Sequence, residues 1–328
     1  MVEAPRSQVV VSVIIVSWNA RDYLTQCLES LTREVCRYPM EIIVVDNAST
    51  DGSAEMVEAR FPKVRLVCNG NNLGFAKANN VGISKSSGRY LCLINSDVKV
   101  LKDCITRLVE ECERRPGVGM VGPRVIAGDG TMQRSCRGFP TLWNMLCRAL
   151  ALDSVFRTCR LFTGHTLAHW AQDSTRPVDI LSGCFWLVRR EALVEVGLLD
   201  ESFFIYGEDM DWCKRFWTHR WELLFVPEAQ AVHYGGASSS NAPVRFYIEM
   251  QRADLQYWKK HHSRLAAGCF FLISCLRLVL RVIGYSFALL LGTPARKVYC
   301  FKVKRSLACL KWMFSGRQPH TDRPNAAA

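Results

Sequence analysis

Runs of consecutive apolar residues alternate with helical periodicities along the first third of the chain. Val9–Val16 is a β-branched run typical of a central strand that is buried on both faces. Strands that alternate with helices in this way are typical of βαβ units. The pattern therefore predicts an α/β protein with a mainly parallel central sheet flanked by helices. Further strands are predicted at Glu41–Val45, Val64–Cys68, Tyr90–Ile94 and from Met120, with helices around Leu24–Leu31, at Phe75–Ser84 and at Leu101–Arg114.

The pattern becomes less regular in the middle of the chain. Residues 131–178 contain Gly138, Pro140, Gly164 and Pro177, and we interpret them as a lid or an acceptor-side insertion. Regular structure is predicted again as an extended run Val178–Arg189, a helix at Arg190–Val196, a helix that ends near His219, and strands at Trp221–Val226 and Ala229–Tyr234.

Polar clusters follow three of the predicted strands. They are Ser17-Trp18-Asn19, Asp46-Asn47 and Asn95-Ser96-Asp97. Ligands of open α/β sheets bind beyond the carboxyl ends of the strands. These clusters are therefore predicted to meet in one crevice.

Composition and charge narrow the class of protein. Apolar residues make up 49% of the 328 residues and charged residues 22%, which excludes a disordered or low-complexity chain. The net charge is +12, but residues 261–328 alone hold eleven Lys and Arg and one acid. A nearly neutral body with a basic tail favours the tail as a surface for an anionic membrane or another polyanion, and we expect no nucleic acid as a partner. No N-terminal signal is expected, because Val9–Val16 is too short and too β-branched for one.

The fifteen cysteines show no CxxC pair and no zinc spacing. Disulfide frameworks belong to small secreted chains. We therefore expect reduced and mostly buried thiols.

Eight segments together resemble the family 2 glycosyltransferases of the GT-A fold, and in particular their rhamnosyltransferase-like branch. They occur in family order over about residues 9–240, which predicts a catalytic domain at 1–240, a helical basic membrane-associating region at 241–316 and a disordered tail at 317–328. The segments are Val13–Asn19, Val44–Ser53, Asn72–Ala76 with Asn79–Gly82, Leu93–Asp97, Ser182–Phe185, Gly197–Phe204, Tyr206–Trp212 and Val232–Gly236.

The resemblance implies an inverting transferase of cell-surface polysaccharide synthesis. Its donor would be a nucleotide diphosphate sugar such as dTDP-L-rhamnose, and its acceptor a saccharide or a lipid-linked saccharide. A Mg²⁺ or Mn²⁺ ion would neutralise charge on the leaving diphosphate. The residues expected on the donor side are Ser17, Trp18, Asn19, Asp46, Asn47, Asn72, Gly74, Lys77, Asn95, Ser96 and Asp97.

Some donor-side residues have a purely structural alternative. Asp46 would contact the nucleobase by resemblance, but its sequence also favours an Asx-turn, and both roles are compatible. Gly74 precedes a helix, whose N-terminus suits an anion. Lys77 could add charge there or lie on a solvated helix face, whereas Asn80 and Gly82 are expected to be structural.

By resemblance, Asp97 and His233 are the expected metal ligands. The family commonly has Asp-x-Asp where this chain has Asn95-Ser96-Asp97, so one carboxylate is replaced by an amide oxygen. The alternative is that Asp97 caps the next helix, although Asp103 is the more obvious cap.

Asp209 matches the family's catalytic base, and Glu208 is a second candidate. The base would remove the proton of the acceptor hydroxyl as it attacks the anomeric carbon. Acids at a helix start are also favoured by the helix dipole, so a structural reading stays open. The residues expected on the acceptor or sugar side are Ser182, Gly183, Trp186, Asp211 and Trp212, with a core position as the alternative for Trp186.

Two C-terminal segments are predicted to form apolar or amphipathic helices. Cys269–Leu291 is long enough to span a membrane, but Arg277 and Arg281 interrupt it and basic residues flank both ends. We therefore expect this segment and Tyr299–Phe314 to lie in the cytoplasmic face of the inner membrane, with the enzyme cytoplasmic and peripheral. A helical hairpin packed on the catalytic domain is the alternative.

Two other functions compete with the transferase. A non-catalytic nucleotide-sugar-binding or membrane-docking subunit would explain Asn95, but the intact Glu208-Asp209 and His233 argue against it. A nucleotidyltransferase would need a Gly-rich basic phosphate loop near the N-terminus, which is missing after Val16.

Overall fold

A computed structural model describes residues 9–34, 36–235 and 242–316. The expected tail at 317–328 and Gly236 lie outside these residues. The strands are β1 (Val11–Ser17), β2 (Met40–Asp46), β3 (Arg65–Cys68), β4 (Tyr90–Asn95), β5 (Val98–Val100), β6 (Val118–Ala127), β7 (Met132–Gln133), β8 (Cys136–Arg137), β9 (Arg176–Pro177), β10 (Ile180–Leu181), β11 (Phe185–Arg189) and β12 (Glu222–His233).

The helices include the one predicted at Phe75–Ser84, with unchanged bounds. They are α1 (Arg21–Arg33), α2 (Ser53–Arg60), α3 (Phe75–Ser84), α4 (Cys104–Arg114), α5 (Leu142–Ala149), α6 (Leu152–Val155), α7 (Arg160–Thr163), α8 (Arg190–Val196), α9 (Glu208–Thr218), α10 (Pro243–His261), α11 (Arg264–Leu290) and α12 (Arg296–Ser315).

One large mixed sheet forms the centre of the fold, in the order β3-β2-β1-β4-β11-β6-β12-β5. The first four strands of this order are parallel, as the βαβ pattern predicts. β11 runs antiparallel to both of its neighbours, whereas β12 is parallel to β6. The predicted α/β fold with a mainly parallel sheet is confirmed.

Local details differ from the sequence prediction. The two strands predicted at Trp221–Val226 and Ala229–Tyr234 are a single strand, β12, with a register shift between Val226 and Gln230. The irregularity coincides with Pro227, which cannot donate to a ladder and is tolerated at bulges. The extended run Val178–Arg189 is interrupted at residues 182–184, between β10 and β11.

At the starts of α2 and α4 the structure shows no side-chain cap. Ser53 does not cap α2; its hydroxyl donates instead to Asp51 Oδ1 at 2.5 Å, and Gly52 occupies the cap position. Asp103 occupies the N-cap position of α4 but makes no side-chain cap bond. Asp97 is followed by strand β5, so the alternative that it caps a helix is wrong.

The core around β1 explains why the strand is almost entirely apolar. Val13, Ile14 and Ile15 are all fully buried, so both faces of the strand are covered. Each such side chain contributes about 1.5–3 kcal/mol of burial free energy. On one face, α3 approaches so closely that a Cβ at Gly82 would lie 2.4 Å from Ile14 Cγ2. The expected structural role of Gly82 is confirmed.

Several buried cysteines belong to the same core. Cys27, Cys92, Cys104 and Cys112 pack among its apolar side chains. Burial raises the pKa of the Cys112 thiol to about 12, so this thiol stays protonated at neutral pH.

The chain divides into two compact units. The first comprises residues 1–139 and 171–238 and holds the large sheet. The second comprises residues 140–170 and 239–328, so the irregular segment after Phe139 belongs with the C-terminal helices.

The second unit is helical. Its apolar centre includes Ile248, Leu278, Cys309 and Trp312 from α10, α11 and α12. α5 also packs against α11. By length and composition α11 could cross a membrane. Its most apolar stretch of 18 residues has a mean hydropathy of 2.0, and 17% of that stretch is buried.

Candidate active site

The register of the parallel strands brings the three predicted polar clusters together within the first unit. Ser17 at the end of β1 pairs with Asp46 at the end of β2, and Val16 pairs with Asn95 at the end of β4. The ends of these strands therefore lie side by side at one edge of the sheet, as the sequence predicts.

Side-chain oxygens at this edge are buried but lack hydrogen-bond partners within the described residues. They are Ser17 Oγ, Asp46 Oδ1, Asn95 Oδ1 and Glu208 Oε2. A buried polar atom without a partner costs roughly 1–3 kcal/mol. Their concentration here is the arrangement expected of a site that is completed by a polar ligand.

Asp46 combines the two roles that its sequence left open. Its Oδ2 accepts from the Ser49 backbone N–H at 2.9 Å, which closes the Asx-turn. Its Oδ1 remains buried and unpaired. The carboxylate can therefore hold the loop and still accept a hydrogen bond from a ligand.

Asn47 and Asn72 hold the loop before α3. The Asn47 amide donates to Asn72 Oδ1 at 2.8 Å and accepts from Leu73 N at 3.0 Å. Asn72 Oδ1 also accepts from Gly74 N at 2.9 Å. Both side chains thus support the shape of the donor-side loop.

Gly74 must be glycine. Its φ is +79°, and a Cβ would lie 2.4 Å from the carbonyl oxygen of Phe204. That oxygen accepts from Phe75 N at 2.8 Å, which ties the start of α3 to the aromatic segment before Glu208. Asn80 makes a second tie, donating to the Leu199 carbonyl at 2.9 Å and accepting from Leu199 N at 3.1 Å, so its expected structural role is confirmed.

Other donor-side candidates lie at the rim. Asn19 has φ of 49° and accepts from Thr50 N at 2.8 Å, so it joins the first two strand-end loops. Trp18 and Ser96 are partly buried. Lys77 is half-exposed and lies 3.7 Å from Glu201 Oε2, a weak surface ion pair.

Asp97 and His233 form the pair that the resemblance predicts as metal ligands. His233 Nε2 lies 3.2 Å from Asp97 Oδ1. The other ring nitrogen, Nδ1, lies 3.0 Å from Gln133 Oε1. An amide oxygen can only accept, so this contact favours the tautomer that carries its proton on Nδ1. In that tautomer Nε2 has a lone pair with which it can bind a cation.

These donor atoms fit a hard divalent cation. The candidate ligands are a carboxylate oxygen of Asp97, an imidazole nitrogen of His233 and the unpaired amide oxygen of Asn95. Two of the three are oxygens, and Asp97 is the only carboxylate among these three residues. Within the described residues no group of three His, Cys, Asp or Glu side chains is close enough to form a complete protein cage. The set therefore suits an ion that takes its remaining ligands from phosphate oxygens and water.

Glu208 and Asp209 begin α9 but differ in environment. Burial, and then the neighbouring Asp209 charge, raise the pKa of Glu208 to about 8. Glu208 is therefore mostly protonated at neutral pH. Asp209 is partly exposed and lies beside Gly183, where a Cβ would be 3.7 Å from Asp209 Cβ. Of the two carboxyl groups, that of Asp209 is the more exposed.

The backbone before α9 is unusual. Tyr206 and Gly207 both have positive φ, 67° and 80°. Left-handed backbone is costly for a bulky residue and is often found at functional sites. These two residues directly precede Glu208, the first residue of α9.

The remaining acceptor-side candidates separate into rim and core. Ser182 and Gly183 lie in the break between β10 and β11 and are partly exposed. Trp186 and Trp212 are fully buried, with ring centroids 5.3 Å apart, so neither indole is accessible to a sugar. The burial of Trp186 supports the alternative that it is a core aromatic.

Asp211 is fully buried and pairs with an arginine of its own helix. Its Oδ2 accepts from Arg215 Nε at 2.9 Å, and Arg215 also donates to the Leu198 carbonyl at 2.8 Å. This buried pair holds the loop after α8.

Gln133 was not anticipated from the sequence. It lies on β7, a short strand of the irregular segment, and β7 pairs with β6. A lone glutamine carries no motif, and only the fold brings it next to His233.

Comparisons with known proteins identify the family of the chain. The family model described as Glycosyl transferase family 2 matches residues 12–197, more than half of the chain. The chain belongs to the family 2 glycosyltransferases, and it is a glycosyltransferase with the GT-A fold.

Two characterised relatives are similar over most of the chain. The N-acetylglucosaminyl-diphospho-decaprenol L-rhamnosyltransferase of Mycobacterium tuberculosis is 29% identical over 77% of this chain and 85% of its own length. The dTDP-rhamnosyl transferase RfbF of Shigella flexneri is 26% identical over 76% of this chain and 80% of its own length. The predicted rhamnosyltransferase-like resemblance is confirmed.

Among solved structures, a mannosyltransferase from Pyrobaculum calidifontis in complex with GDP-Man and Mn²⁺ shares the fold. It is 16% identical, with a TM-score of 0.56 over 94% of this chain and 88% of that one.

Proposed function

We propose that this glycosyltransferase transfers L-rhamnose from dTDP-L-rhamnose, with inversion, to a saccharide or lipid-linked acceptor in cell-surface polysaccharide synthesis. The observation that carries the proposal is that Ser17, Asp46 and Asn95 end neighbouring strands at one edge of the sheet. Asp97 follows Asn95 by two residues, and Asp209 lies beside Gly183. The activities for which the two bacterial relatives are named support the choice of sugar.

The donor would lie across the strand ends. The unpaired Asp46 Oδ1 would accept a hydrogen bond from the nucleobase, and the loop held by Asn47 and Asn72 would face the diphosphate. Ser17 and Trp18 would line the base and ribose. Ser96 and Lys77 would add polar and charged groups nearby.

Asp97 and His233 would hold a Mg²⁺ or Mn²⁺ ion, with Asn95 able to add an amide oxygen. When bound, such an ion neutralises charge on the departing diphosphate. Gln133 would keep His233 in the tautomer that presents Nε2. The mannosyltransferase structure of similar fold, which contains Mn²⁺, is consistent with this assignment.

Asp209 would act as the general base. As the acceptor hydroxyl attacks the anomeric carbon, Asp209 would take its proton, and the bond to the nucleotide diphosphate would break on the opposite face. Glu208 would stay protonated beside it, so that a single negative charge faces the acceptor. Ser182 and Gly183 would border the acceptor.

The helical region at 241–316 would hold the enzyme at the cytoplasmic face of the inner membrane. Residues 264–316 hold nine Lys and Arg and no acid, and α11 exposes Leu272, Ile283 and Leu290. Such helices bind anionic lipid through apolar burial and charge together. A lipid-linked acceptor would then be presented in the same plane.

The proposal is tested by nucleotide diphosphate release from a panel of dTDP- and UDP-sugars, with membrane extract as acceptor source. Separate reactions contain Mn²⁺, Mg²⁺ or EDTA. We expect release from dTDP-L-rhamnose that EDTA abolishes, and product analysis that shows the inverted anomer. Release from a different sugar alone would overturn the donor assignment, and release unaffected by EDTA would overturn the metal site.

A further inference from the structure

Three arginines of the helical unit lie against two successive turns of α10. Arg281 Nη1 donates to the Tyr247 hydroxyl at 3.2 Å, and the Arg305 guanidinium lies 4.2 Å from the centroid of the same ring. One turn further on, Arg277 Nη2 donates to Gln251 Oε1 at 3.0 Å. We call Arg277, Arg281 and Arg305 the arginine cluster.

The cluster is not neutralised. Among the described residues no carboxylate lies within ion-pair distance of the three guanidinium groups, and the nearby Glu249 pairs with Arg252 at 3.2 Å. Three like charges in one place repel each other, and an anion between them would remove that penalty.

Donor atoms of the cluster are also unused. Arg277 Nε and Arg305 Nε are buried and have no hydrogen-bond partner. Both guanidinium groups lie close enough to the buried Cys309 to lower the pKa of its thiol, against the larger effect of burial, which raises it to about 12. Arginines of two helices thus lie near one buried thiol and keep unused N–H donors, which an oxyanion can accept from.

The outer face of α11 identifies the source of the anion. With 3.6 residues per turn, Arg277 and Arg281 share a face with the buried Phe270 and Leu278. Leu272, Ile283 and Leu290 lie on the opposite face and are 66%, 59% and 84% exposed. If the exposed face enters a bilayer, the arginine face lies at the depth of the lipid headgroups.

We propose that the arginine cluster binds the phosphate group of an anionic membrane lipid. The inference rests on the proposed membrane association of residues 241–316. It adds a specific guanidinium site to what would otherwise be diffuse attraction by surface charge.

The test replaces guanidinium groups without changing charge. The cluster variant is Arg277→Lys/Arg281→Lys/Arg305→Lys in the full chain, and the matched control is Arg264→Lys/Arg296→Lys, two exposed arginines of the same helices. Lysine keeps the charge but loses the planar fork that binds two phosphate oxygens. Binding is measured to vesicles of phosphatidylcholine alone and of phosphatidylcholine with phosphatidylglycerol.

We expect the cluster variant to bind the anionic vesicles at least about tenfold more weakly than the wild type, and the control to remain within about twofold. Inorganic pyrophosphate should compete with vesicles for the wild type and much less for the cluster variant. Sugar transfer to a water-soluble acceptor should be unchanged in all three proteins, which verifies that they are folded.

Other outcomes overturn the inference at different levels. Equal vesicle binding by the cluster variant and the control would leave only diffuse attraction. Binding of pyrophosphate without any preference for anionic vesicles would assign the cluster to a soluble phosphate. If the wild type ignores vesicles but transfers sugar, the membrane association fails while the proposed activity stands.

Discussion

His233 Nε2 and Asp97 Oδ1 lie 3.2 Å apart, although the two residues are far apart in the sequence. β12 brings them together, because His233 pairs with Val98, the residue after Asp97. The contact links the strand-end crevice of the parallel half of the sheet to its far edge. In the tautomer with its proton on Nδ1, Nε2 turns a lone pair toward Oδ1, and a cation bound by both atoms would make this contact favourable.

Replacing Gln133 with Leu should weaken Mn²⁺ binding by about tenfold to a hundredfold, because the His233 ring loses the acceptor that fixes its tautomer. The measurement is titration of the enzyme with Mn²⁺ in the presence of donor. Gln26→Leu, at an exposed position, is the control and should bind as the wild type does. Equal Mn²⁺ affinities for the two variants would show that Gln133 does not support the metal site.

Replacing Asn95 with Asp should tighten Mn²⁺ binding by about tenfold, since a carboxylate would replace an unpaired amide oxygen beside Asp97. The same titration measures it, and activity at low metal concentration should rise in parallel. An affinity that is unchanged or lower would show that Asn95 does not face the ion.

Asp46→Asn tests the nucleobase contact. The asparagine can still close the turn at Ser49, but its second position becomes a donor instead of an acceptor. We expect the KM for donor to rise about tenfold to a hundredfold with little change in kcat, the value of one charged hydrogen bond. A fall in kcat at unchanged KM would place Asp46 in a different role.

Glu208 makes the stability of the fold depend on pH. The unfolded chain ionises it near pH 4.5, whereas the folded chain holds the proton to about pH 8. Its contribution to the free energy of unfolding is therefore fully present below about pH 4.5 and is lost as the pH rises to about 8.

Glu208→Gln should abolish that loss, because a neutral amide has no proton to release. Urea unfolding at several pH values between 5 and 9 measures the difference. We expect the wild type to lose more stability than the variant over this range. Parallel pH profiles for the two proteins would mean that Glu208 ionises normally in the fold.

Much of the catalytic unit could be predicted from its sequence because its signals are local. The apolar run of β1 and the helical spacing of α3 identify buried elements without any knowledge of their neighbours. The interruption at Pro227 resembled a turn between two strands, yet the sheet accommodates it as an irregularity within β12. Only the pairing of β12 with β6 on both sides of Pro227 shows that it is one strand.

Only part of the candidate site could be predicted from the sequence. The polar residues that follow β1, β2 and β4 could be grouped because parallel strands end at the same edge. Asp211 and Trp212 resemble site residues in sequence, but the helical period turns both into the core. Neither Gln133 nor the arginine cluster carries a motif, since tertiary contacts alone assemble them.

The role of Asp209 is the centre of the account, and the most direct test is Asp209→Asn compared with the wild type for both donor binding and transfer. We predict a fall in kcat of about 10² to 10⁴-fold with donor affinity nearly unchanged, because the amide cannot accept the proton of the acceptor hydroxyl. Glu191→Gln, a surface acid in the same unit, is the control. Transfer at the wild-type rate by the Asp209→Asn enzyme would contradict the account.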